Sequence, residues 1–89
     1  MASMRNEIDV AQHAEALRGI IERLLHGRGP AVQGAVLVDL VAMYFAGHHP
    51  AMREECIAEF VKAMRELIPV NEAIMFEREG GKPVGWETQ

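Results

Sequence analysis

One cysteine in 89 residues excludes an intrachain disulfide and the usual cysteine-built structural zinc site. Serine is scarcer still in effect. Ser3 stands alone in a polar N-terminal stretch, so no Ser/His/Asp set is available for acyl transfer. Positive charge is in short supply: nine Lys+Arg against 13 Asp+Glu give a net charge of −4. That balance argues against a general binder of nucleic acid or anionic membrane. Long apolar runs are missing too. The longest nearly uninterrupted one, Ala35 to Ala46, is broken by Asp39, and a bilayer span takes about 20 residues. No low-complexity tract and no internal repeat stand out. No apolar stretch follows the N-terminal Met-Ala-Ser-Met-Arg-Asn-Glu, so no targeting segment is expected. The single thiol, Cys56, suits a reducing compartment, and the expected location is the cytoplasm.

What is present is an ordinary soluble composition, 49% hydrophobic and 25% charged. It implies a single domain over residues 1–89, of the small kind. A compact monomer of this mass exposes about 5,200 Å². Domains this small often gain stability by oligomerising.

Helical periodicity organises most of the chain. Residues 1–7 are polar and expected to fray. Val10, Ala14, Leu17, Ile21 and Leu24 then repeat at alternating spacings of four and three. With Ile20 and Leu25 they fill an arc of about 140°, which predicts an amphipathic helix over residues 8–27. Asp9 is placed to cap it and Gly27 to end it in a left-handed conformation. Pro30 suits the first turn of a second helix, 30–47, because its missing N–H has no partner there anyway. Large apolar residues cover about 240° of that helix, which marks it as the buried centre of the fold. Its remaining strip holds Asp39 among alanines and has two readings: a face turned to water, or a surface where another backbone approaches closely. Pro50 opens a third helix, 50–69, by the same logic. Cys56, Ile57, Phe60, Val61, Met64, Leu67 and Ile68 share one arc of about 140°, with the charged residues opposite. Pro69 is expected to end it.

Beyond Pro69 two readings compete. Asn71 can cap a short fourth element over residues 71–77, followed by a loose C-terminal tail. Alternatively, the runs 74–79 and 82–87 flank Gly80-Gly81 as a hairpin would. The first is preferred, since a lone two-stranded hairpin is marginal in water. The expected fold is therefore all-α: a compact antiparallel three-helix core with a short fourth element.

The candidate chemistry is thin. His48 and His49 are adjacent on the second interhelical loop and are the only candidates for a metal or a general base. Their bland reading is a polar loop with His49 near an N-cap position. His13 lies in the apolar arc of the first helix, where a packed boundary histidine is the simpler reading. His26 sits at a helix C-terminus, where it reads as a structural cap. Cys56 reads as a small buried hydrophobe, because a nucleophilic cysteine wants an electropositive setting and Glu55 and Glu59 are its neighbours. The methionines and phenylalanines can line an adaptable groove, but at helical spacing they read as core. Neither Gly27-Arg28-Gly29-Pro30 nor Gly80-Gly81-Lys82 has the spacing of a phosphate loop. A DNA-reading third helix would need exposed basic residues where Glu54, Glu55, Glu59 and Glu66 stand.

Two function classes follow. The first is a non-catalytic helical module that forms a homodimer or docks onto a partner protein, with no cofactor. Its expected interface residues are Val36, Leu40, Tyr44, Ile74, Phe76 and Trp86. The alternative is a small enzyme or metal-binding protein built on the His48/His49 loop.

Overall fold

The structure, a computed structural model, describes residues 2–86. Three helices and no strands occur among them. Helix α1 is Ala2–Leu25, α2 is Pro30–Ala46 and α3 is Pro50–Arg78. Packing divides the chain into two units, Met1–Ala42 and Met43–Gln89, with the boundary inside α2.

Helix α1 starts earlier than its apolar stripe. Residues 2–7 were expected to fray but are helical, and Asp9 lies inside the helix instead of capping it. Ala2, Met4, Arg5 and Glu7 are good helix formers, and neither Gly nor Pro interrupts them. The stop falls where the sequence puts it: Gly27 takes φ +77°, a conformation costly for any residue with a Cβ.

Helix α3 departs most from expectation. Pro69 does not end it, and residues 71–77 form no separate element; they continue the helix to Arg78. The hairpin alternative fails with it, since residues 74–78 are helical. An interior proline removes the bond to the carbonyl four residues back and costs about 3 kcal/mol. Two features oppose that cost. Ile74 and Met75 resume the apolar arc in phase with Met64, Leu67 and Ile68, and the stretch Glu72-Ala73-Ile74-Met75 favours helix. The real stop is Gly80 at φ +87°. Gly81 N–H donates to the Phe76 carbonyl at 2.7 Å and Gly80 N–H to that of Glu77 at 3.4 Å, closing the helix end. The segment that follows is not wholly loose either. Trp86 turns back so that its ring meets Phe76 edge-on, centroids 5.4 Å apart at 84°.

Of the expected compact antiparallel core, the all-helical character is what is shown. Among the described residues Phe45, at 7% exposure, is the one buried hydrophobic. Over residues 6–42 nearly all side chains are exposed; Leu25, Gln33 and Val41 are half-buried. The second helix was to be the buried centre, yet Leu40, midway along it, is 48% exposed. In the second unit a small aromatic group gathers where α2 meets the turn to α3. Phe45 and Phe60 pack edge to face at 5.2 Å, and Tyr44 and Phe45 at 5.1 Å.

The continuity of α3 makes a prediction. Pro69→Ala should raise stability by about 1–3 kcal/mol, because it restores a helical hydrogen bond. Helical circular dichroism should stay unchanged while the thermal midpoint rises. A gain in helix content would mean that residue 69 divides the helix after all.

Candidate functional site

The two interhelical corners are built alike. Gly27-Arg28-Gly29-Pro30-Ala31-Val32-Gln33 and Gly47-His48-His49-Pro50-Ala51-Met52-Arg53 share Gly, Pro and Ala at matched positions. At each corner a turn bond spans three residues: Arg28 N–H to Leu25 O at 3.1 Å, and His48 N–H to Phe45 O at 3.0 Å. At each corner the fourth residue of the new helix reaches back to the end of the old one. Gln33 Nε2 donates to Leu25 O at 2.8 Å, and Arg53 Nε donates to Phe45 O at 3.0 Å. Arg53 Nη2 also donates to His48 O at 3.0 Å and to Ala46 O at 3.4 Å. Helix C-termini leave carbonyls without intrahelical partners, and these side chains satisfy them. The sequence reading missed this local repeat. Its signal was the shared Gly-x-x-Pro-Ala spacing, which recurs only once.

The histidine loop serves the second corner. The His48 ring contacts the Tyr44 carbonyl through Nδ1 at 2.8 Å. A carbonyl only accepts, so Nδ1 is the donor of this bond. His49 Nδ1 accepts from Ala51 N–H at 3.1 Å and caps α3, as its position suggested. Each ring thus commits one nitrogen to the backbone. No three His, Cys, Asp or Glu side chains among the described residues come together to hold a metal ion. The alternative built on His48 and His49 gains no third ligand here.

Beside the loop lies an open groove of about 410 Å³, floored by Tyr44, Phe45 and Phe60 and edged by Glu55 and Glu59. Cys56 lines it and is half-buried, so it is less enclosed than a core thiol. His13 was expected to pack against a core but is exposed on α1. Arg28 turns back to the Leu24 carbonyl at 3.1 Å.

The expected interface residues fall on three segments. Val36, Leu40 and Tyr44 form one row along α2, each exposed. Ile74 and Phe76 lie in the final turns of α3, the first exposed and the second half-buried. Trp86 lies on the segment after the helix and joins Phe76 around a groove of about 340 Å³. Asn71, first read as a cap, lies inside α3 on its apolar arc and lines that groove as well. None of the helices among the described residues is long and apolar enough to cross a membrane.

No protein-family model, curated protein or solved structure matches the chain. Its reading rests on residues and geometry.

The capping role of Arg53 is testable by urea unfolding. Arg53→Ala should cost about 1.5–3 kcal/mol, the range for hydrogen bonds from a charged group. Arg53→Lys should recover only part of it, because one ammonium cannot reproduce the guanidinium fork. Gln33→Ala, a neutral cap, should cost about 0.5–1.5 kcal/mol.

Proposed function

We propose that this chain is a non-catalytic helical module whose task is association, first with a second copy of itself. One observation carries the reading. Large apolar side chains stand exposed along all three helices while Phe45 is the one buried hydrophobic among the described residues. Soluble monomers rarely leave contiguous apolar patches of more than a few hundred Å² uncovered. Obligate assemblies expose such side chains when taken apart, since their interfaces resemble a domain core cut in two.

On this reading the compact helical core exists only in the assembly, where stripes from two chains close on one another. A homodimer with a two-fold axis is the simplest form, since cyclic pairs are the commonest closed symmetry. Val36, Leu40 and Tyr44 on α2, with Ile74, Phe76 and Trp86 further on, supply apolar contacts to it. The acidic balance of the chain disfavours nucleic acid and anionic membranes as partners. The lone thiol suits the cytoplasm.

Sedimentation equilibrium at micromolar concentration tests the proposal. The expected mass is twice the 9.9 kDa of one chain. Leu40→Glu should shift the equilibrium towards single chains by tenfold or more in Kd, about 1.4 kcal/mol or more. A single species at the mass of one chain, at every concentration, contradicts the reading.

A further inference from the structure

The groove at the second corner is left without a task by the capping of backbone ends. Residues 44–60 alone build it: the last turn of α2, the connection after it and the first turns of α3. Its floor is aromatic. Phe45 and Phe60 meet at 85°, Tyr44 and Phe45 at 62°, and Tyr44 and His48 at 72° with centroids 4.7 Å apart. Rings at such angles form walls and not a flat stack. Phe45 is buried, but Tyr44 keeps 58% of its surface open and Phe60 36%. Their centroids are 6.3 Å apart. One atom placed over the gap between them therefore lies within about 6 Å of both, the reach of a cation–π contact.

The edge is acidic. On the wheel of α3 the order across the groove is Glu55, Glu59, Met52, Cys56 and Phe60, spread over about 140°. Carboxylates end one side and an aromatic ring the other, with a thioether and a thiol between. Glu55 and Glu59 are one turn apart, a like-charge pair of the kind that destabilises a helix. Neither has an ion-pair partner among the described residues. Arg53, the basic residue nearest Glu55 in sequence, is turned to the carbonyls of Phe45, Ala46 and His48 instead.

We propose that this groove binds a small organic cation, an ammonium whose nitrogen carries alkyl groups. The alkyl groups meet Tyr44, Met52 and Phe60, the charge lies against the open rings, and the two carboxylates balance it. Charge complementarity selects the class. An anion would meet Glu55 and Glu59. A bare metal ion would lack a third ligand, since no three His, Cys, Asp or Glu side chains gather among the described residues. A neutral apolar molecule would leave the two like charges as they stand. At about 410 Å³ the groove has the size of a small-molecule site. The inference goes beyond the self-association reading and does not rest on it.

Titration with choline tests the site, followed by proton NMR of the Tyr44 and Phe60 ring signals. The control is the uncharged alcohol in which carbon replaces the quaternary nitrogen. Choline should shift the ring signals saturably at millimolar concentration, and the alcohol should bind about tenfold more weakly or worse. Glu55→Gln combined with Glu59→Gln keeps the shape of both side chains and removes both charges. It should weaken choline binding about tenfold while circular dichroism stays unchanged. Sodium chloride at matched ionic strength should leave the ring signals in place. Equal binding of choline and the alcohol overturns the proposal, for the groove would then be merely apolar. So does full choline affinity in the doubly substituted chain, and so does a titration that never saturates. The mass of the chain in solution is no readout of this site, so self-association and cation binding can each fail alone.

Discussion

An amphipathic helix is held by whatever covers its apolar face, because helix propensity alone leaves isolated segments marginal in water. That requirement governs everything else in this chain. Large apolar side chains stand exposed on each of its three helices, and Phe45, at 7% exposure, is the one buried hydrophobic among the described residues. Side chains such as Leu17, Leu40 and Leu67 remain open to water. Burial at about 25 cal/mol/Å² is the main term that offsets the entropy of ordering a chain. On the proposal made here, a second copy supplies the missing surface, and folding and assembly become one event.

Short-range order does not wait for that cover. The corners after α1 and α2 reuse one local solution: a glycine, two linking residues, a proline to start the next helix, and a side chain that returns to the carbonyls just left behind. Gln33 does this once and Arg53 does it with more bonds. His48 and His49, the most reactive-looking pair in the sequence, belong to the same device. One ring contacts the end of α2 and the other caps the start of α3. These reactive-looking polar residues are occupied with backbone ends.

Much of the architecture was legible in the residues. Pro30 and Pro50 mark the starts of α2 and α3, and Gly27 marks the exit from α1, because each has a backbone reason to stand there. The end of α3 was not legible from Pro69 alone. A proline raises the cost of a helix, but the apolar phase on either side of it decides whether the helix continues. Judged as a stop, Pro69 made Asn71 a cap; the helix instead runs on and leaves Asn71 on its apolar arc. What covers the apolar faces was illegible for a different reason. Periodicity reports which face of a helix needs cover, never what provides it. The closing contact of Trp86 on Phe76 likewise joins residues across a turn that no period connects.

The central claim, that the apolar faces of this chain are buried between copies, is tested most directly by thermal unfolding over a hundredfold range of chain concentration. A ligand or partner that binds only the folded state stabilises it by mass action, and a second copy is such a partner. The account predicts a midpoint that rises steadily with concentration while the unfolded baseline stays fixed. A cooperative transition whose midpoint is the same at every concentration would contradict it, for it would show that one chain alone completes its own core.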